Sequence, residues 1–176
     1  MERVTLEQRH RQLLDYWSSL IEPGQDIPDR CKFDPSAIPK LLSFLVLSDI
    51  KDETVLFRVV GTEMAQAWGD DFTGKTLDEI MSGSYRDFIH DLFMYCVKSR
   101  SPIVCRNRFQ YDRGRLLDTC QMMLPFSAKG DPKRVGHVLV GQSFDFNKTG
   151  PAKPQVACLS NGAFVAPEPK FLPHLP

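Results

Sequence analysis

The chain has 176 residues, enough for one domain with a sizeable buried core. Lys and Arg number 22, as do Asp and Glu, so the formal net charge is zero and the basic balance of a nucleic-acid or anionic-membrane binder is excluded. No apolar run approaches the roughly 18 residues of a membrane span, and the opening Met-Glu-Arg-Val-Thr-Leu-Glu-Gln lacks the apolar centre of a signal peptide. The five cysteines, Cys31, Cys96, Cys105, Cys120 and Cys158, form no C-x-x-C pair. They read as reduced thiols of a cytoplasmic protein, packed as small hydrophobes, with no spacing suited to zinc.

In chain order, Thr5 and Gln8 suggest a capping box ahead of an amphipathic helix. Leu6, His10, Leu13, Leu14, Trp17, Leu20 and Ile21 recur on its apolar stripe. Pro23-Gly24 ends it, and Asp34-Pro35 starts a second, short helix to about Leu42, limited by Pro39. Phe44–Ile50 and Thr54–Val60 read as strands joined by the turn Lys51-Asp-Glu53. Both faces of this hairpin carry apolar residues, so it needs cover on both sides. Short helices follow over 62–68 and 76–81, then a longer one over Tyr85–Ser99, ended by Ser101-Pro102. Ile103–Tyr111, Leu116–Phe126 and Val135–Phe146 form three further strands, the first two joined by the turn Asp112-Arg-Gly114. Short connections between these elements predict an α+β fold: a five-stranded antiparallel sheet with helices packed on one face. The N-terminal helix is expected to cover the other face or a dimer partner. Arg106, Arg108, Arg113 and Arg115 cluster near the second turn, but Asp112 and Asp118 interleave with them, as on a solvated hairpin tip.

The expected division is a helical extension over 1–42, a core over 43–146 and a Pro-rich, mostly disordered tail over 147–176. Within that tail only Val156–Leu159 and Gly162–Val165 have the composition of a short docking strand.

Gly69–Thr76, Gly-Asp-Asp-Phe-Thr-Gly-Lys-Thr, fits the phosphate-binding pattern G-x-x-x-x-G-K-[ST] letter for letter. A working loop of that kind follows a strand, opens a helix and aims bare amides at phosphate. Here the preceding Thr62–Trp68 has helical character, Asp70 and Asp71 place negative charge in the cradle, and Ser82-Gly83-Ser84 ends the following apolar segment early. The match is therefore read as coincidental, and a nucleotide-binding enzyme is kept as the alternative.

Five segments in order carry a resemblance: Leu14-Asp-Tyr-Trp17, Asp34-Pro-Ser-Ala-Ile-Pro39, Phe57-Arg-Val-Val-Gly-Thr62, Thr73-Gly-Lys-Thr-Leu77 and Met123-Leu-Pro-Phe126. Over residues 6–146 the chain resembles a PAS domain, and specifically the stand-alone bacterial PAS-like family in which one such domain is nearly the whole protein. The resemblance implies a non-enzymatic sensory or regulatory module with a cavity between sheet and helices, able to bind a small molecule or a signalling partner. It also implies a homodimer formed through the N-terminal helix, for which Leu6, His10, Leu13, Leu14 and Trp17 are the interface candidates. With no output domain attached, the signal is expected to pass by association.

No catalytic set emerges: there is no G-x-S-x-G or H-E-x-x-H. His90 lies between Asp87 and Asp91 and is read as solvated rather than a haem ligand, and His137 as outward-facing. Cys105-Arg-Asn-Arg-Phe-Gln110 is a scrambled version of a flavin-binding helix segment placed on a strand, so a flavin is not assigned and the cofactor stays unknown. The expected cavity lining is Phe57, Val59, Met64, Trp68, Ile80, Phe88, Leu92, Tyr95, Phe109, Met122 and Leu124, with Asn107 as an inward-facing amide in need of a partner. The competing reading is that these side chains simply fill the core.

Overall fold

A computed structural model describes residues 6–111, 115–151 and 153–166, with side chains described for all of these except 109–111, 115 and 116. Helix α1 (Gln8–Ser19) leads into 3-10 turns at Arg30–Lys32, Pro35–Ala37 and Pro39–Phe44. Then come β1 (Leu45–Lys51), β2 (Thr54–Val60), α2 (Thr62–Trp68), α3 (Leu77–Ile80) and α4 (Gly83–Ser99). The chain continues through β3 (Ile103–Tyr111), β4 (Arg115–Ala128), β5 (Asp131–Asp145), β6 (Gln155–Ser160) and β7 (Ala163–Val165). The pairings between these strands are antiparallel.

The sheet order is β2-β1-β5-β4-β3-β6-β7, seven strands where five were expected. The extra two come from the tail: β6 pairs with the outer edge of β3, satisfying a ladder that five strands would have left open. Residues 167–176, the end of the expected tail, lie outside the described residues, as do Thr5 of the expected capping box and the turn at 112–114. The β1–β2 turn places Asp52 and Glu53 at φ 49° and 62°, the two left-handed residues that a tight hairpin twisted like its strands requires. The expected helix after Asp34 is instead two 3-10 turns. Asp34 Oδ1 accepts from Ser36 N at 2.9 Å, but Pro39 supplies no N–H to continue an α-helical ladder.

The sheet is covered on both faces. Met122 on β4 sits opposite Gly141 on β5, and a Cβ on Gly141 would stand 2.7 Å from Leu13 Cδ2, so this face belongs to α1. Their neighbours Met123 and Val140 point the other way, toward α2, α3 and α4. Helix α1 is pinned by Trp17 Nε1 donating to Pro125 O at 2.9 Å and by His10 Nε2 at 3.2 Å from Gly141 O. Arg9 makes a bidentate pair with Glu63 on α2, at 2.7 and 2.9 Å, and Ser43 Oγ donates to the same carboxylate at 2.6 Å.

His10 is 0% exposed, with the Gly141 and Cys120 backbone beside its ring. Burial lowers its pKa, with the Glu7 carboxylate pulling the other way. The unfolded chain therefore takes up a proton near pH 6.5 that the folded chain resists. Stability is full above that pH and falls as pH drops toward the folded value, by up to about 1.4 kcal/mol per pH unit. Asp49 and Glu63, whose pKa values are lowered in the fold, withdraw their contributions only below about pH 4.3. Urea denaturation between pH 7.5 and 5 should show this loss, and His10→Leu should flatten it in that window; an unchanged slope in the variant would exclude His10 as its source.

Candidate functional site

Between the sheet and α2–α4 lies a cavity in which the centre of a water-sized sphere has about 30 Å³ to move. Each wall comes from a different element. Helix α4 is buried around most of its circumference, Leu92 to Cys96 without interruption, and it turns Tyr85, Ile89 and Phe93 to the cavity. Met64 comes from α2, Ile80 and Met81 from the end of α3, and Phe72 from the loop between them. The sheet contributes Val46, Phe57, Met123 and Val140, together with Gln121 and Gln142. Phe57 and Phe72 pack edge to face at 4.8 Å, and Trp68 packs edge-on against Phe72 at 6.0 Å.

Among the described residues, no carboxylate, lysine, arginine or histidine side chain lines this space. Its polar content is three neutral groups. Gln121 and Gln142 face each other across the β4–β5 ladder, 3% and 6% exposed. Gln121 Nε2 has no hydrogen-bond partner among the described residues. The Cys105 thiol, opposite Gln121 on β3, lies beside that amide and offers only a weak acceptor. The Tyr85 hydroxyl is hydrogen-bonded to the Asn107 side chain, whose Oδ1 also accepts from Thr119 Oγ1 at 2.5 Å. Burial pushes the Tyr85 phenol and the Cys105 thiol well above their ordinary pKa values, so both stay protonated and neutral.

Of the residues expected in the lining, Phe57, Met64 and Ile80 are in it, and Asn107 stands directly behind Tyr85. Trp68 reaches it only through Phe72. Phe88, Leu92 and Tyr95 are buried but lie off the 85-89-93 row that meets the cavity. Met122 and Leu124 are corrected to the opposite face: their partners are Gly141 and Leu139, on the α1 side. Val59 is half exposed, because a bulge between Leu47 and Ser48 skips Arg58 and turns Val59 outward. Phe109 is on β3, and its side chain lies outside those described. The sequence reading missed Gln121 and Gln142. The signal was available: each is an amide in line with an apolar residue on the same strand face, Gln121 with Met123 and Gln142 with Val140.

The five interface candidates are on the chain's own sheet side. His10, Leu13 and Trp17 are buried there, and Leu6 and Leu14 pack partly against the same core. His90 Nε2 is 2.9 Å from Glu53 O on the β1–β2 turn. His137 Nδ1 is 2.8 Å from Asp49 Oδ1, and Arg58 Nε donates to Asp49 Oδ2 at 2.5 Å. Burial would raise the Asp49 pKa, but the Arg58 and His137 hydrogen bonds outweigh it and hold the carboxyl below its ordinary range.

Gly69–Thr76 is a bend between α2 and α3, with no strand running into it. Its amides from Thr73 to Thr76 are spent inside the protein. Thr73 N donates to Asp71 Oδ1 at 2.9 Å, Gly74 N to Phe57 O at 2.7 Å, Lys75 N to Phe72 O at 3.1 Å and Thr76 N to Glu79 Oε2 at 2.6 Å. Lys75 Nζ pairs with Asp70 at 3.2 Å. A triphosphate would have to displace all of these donors from their partners.

A family model described as a PAS domain matches residues 6–140. Among solved structures, a fungal LOV domain photoreceptor is similar, at 17% identity and a TM-score of 0.46, over 79% of this chain and 92% of that one. No curated protein matches the sequence.

Proposed function

The chain belongs to the PAS domain family and is thus a sensory signalling module, and on that premise we propose that it senses by binding a small molecule between the sheet and α2–α4 and signals, without catalysis, by associating with a partner protein. The supporting observation is the convergence of walls from β1, β2, β4, β5 and α2–α4 on one cavity. An occupant there touches four strands and the three helices α2–α4 at once, so its differential affinity for two packings of α4 on the sheet becomes a conformational bias. The buried, reduced thiols fit a cytoplasmic setting. A homodimer, if formed, must use a surface other than the buried side of α1, or release α1 from its sheet.

Native mass spectrometry of gently purified protein tests the ligand half. The expected result is a bound species of small mass that is lost on denaturation. Protein that is always empty, and not stabilised by any neutral small-molecule probe, would overturn that half. The remaining reading would be a partner-binding adaptor with a filled core, which the small size of the cavity favours: about 30 Å³ holds roughly two waters.

A further inference from the structure

Resting on the ligand-binding reading, we propose that the cavity selects neutral, largely apolar molecules carrying one hydrogen-bond acceptor of carbonyl type, which Gln121 Nε2 recognises. Three observations meet at this point. The first is that no carboxylate, ammonium, guanidinium or histidine lines the cavity among the described residues, and its one phenol, Tyr85, stays protonated. A charged ligand would leave water and meet no counter-charge, so its desolvation would go uncompensated. The second is Gln121 itself: 3% exposed, set among apolar walls, with a donor that meets no acceptor of normal strength. A buried amide donor left unmade is costly, and a carbonyl oxygen placed against it relieves that cost. An apolar group in the same place does not, so the same amide that rewards a ketone penalises its hydrocarbon analogue.

The third observation concerns size. About 30 Å³ is well short of the roughly 150 Å³ in which benzene is held by an engineered cavity, so an organic ligand requires the walls to give. Met64, Met81 and Met123 line the space from α2, the end of α3 and β4. Methionine is unbranched, has three rotatable bonds and repacks at low cost, so these are the walls that move. Ligand entry thereby repositions side chains on three separate elements, which couples chemical recognition to the packing of the helices.

The test uses three probes on the full chain: cyclopentanone, its hydrocarbon isostere methylenecyclopentane, and the larger, charged cyclopentanecarboxylate. Affinities come from NMR titration, following the Gln121 side-chain amide and the methyl groups of the three methionines. The ketone should bind roughly three- to ten-fold more tightly than the isostere, the worth of one hydrogen bond, and should shift the Gln121 amide. The carboxylate should not bind. In Gln121→Leu the two neutral probes should bind equally, with the hydrocarbon no weaker than in the unaltered protein. Gln121→Met, an unbranched near-isostere, serves if the leucine variant does not fold. A ketone preference that survives the substitution, equal binding of the neutral probes to the unaltered protein, or binding of the carboxylate would each overturn the proposed chemistry while leaving a ligand cavity in place. If none of the probes binds, the chemistry and the ligand-binding reading fall together.

Discussion

Trp17→Ala is expected to destabilise the domain by about 3–5 kcal/mol, the range for removing a large aromatic side chain from a core. The side chain is 2% exposed, on the face of the sheet opposite the cavity. Two losses combine. The first is the indole's volume beneath α1, which the short helix fills only by shifting as a body. The second is the donor to Pro125 O, a buried carbonyl then left without that partner. Trp17→Phe separates them: it keeps most of the apolar body, so it should cost only the hydrogen bond and a small void, about 1–3 kcal/mol. Urea midpoints at neutral pH measure both. A cost below about 1 kcal/mol for the alanine variant would mean that α1 rests on the sheet without being needed there. The same variant bears on association. An α1 that leaves the sheet uncovers the stripe of Leu6, His10, Leu13 and Leu14, so Trp17→Ala should also show concentration-dependent self-association by light scattering.

This double cover explains which parts of the molecule were legible in the sequence. Apart from the segment after Asp34, where two 3-10 turns replace the expected helix, element type and order were readable from α1 through β5, because turn chemistry and helix-breaking residues mark the ends. Asp52-Glu53 adopts its two left-handed conformations, and Thr76 and Glu79 form a capping box that starts α3. Side-chain direction was readable only where one side of an element meets water. Met122, Met123 and Leu124 are all buried, alternately toward α1 and toward α4, so an apolar run carries no parity. The same is true of α4, where burial from Leu92 through Cys96 hides which row meets the cavity. The bulge opposite Leu47 and Ser48 leaves no mark in composition, and it alone decides that Phe57 points in while Val59 points out. β6 and β7 were legible only in part. Val156–Leu159 and Gly162–Val165 stood out in the tail as candidate docking strands, but what makes β6 a strand is the open edge of β3, information held elsewhere in the chain.

Gly61→Ala is expected to cost about 3 kcal/mol or more, the upper end for forcing an extra methyl into packed structure. Conformation is not the reason. At φ −67° and ψ 153° any residue is at ease. The reason is space: a Cβ there would lie 2.4 Å from Ser43 O and 2.6 Å from Leu42 O. Those oxygens belong to the 3-10 turn that seats the fully buried Phe44 and feeds β1, and Gly61 N itself donates to Leu45 O at 2.7 Å. Backbone cannot rotate away as a side chain does, so either β1 or the start of α2 must move, and Met64 on α2 and Val46 on β1 both line the cavity. Two other glycines calibrate the effect. Gly141→Ala meets the flexible ends of Leu13 and Phe44 at 2.7 and 2.9 Å, which can give, so its cost should be smaller. Gly24→Ala meets nothing within 4 Å and loses only the ease of a φ of 83°, about 1 kcal/mol. Thermal unfolding should rank them Gly61, Gly141, Gly24, at roughly 2–4 °C per kcal/mol for a domain of this size. A Gly61→Ala variant as mild as Gly24→Ala would show that β1 and α2 are free to shift apart, and the cavity they help to enclose would then have no fixed wall against which a ligand could work.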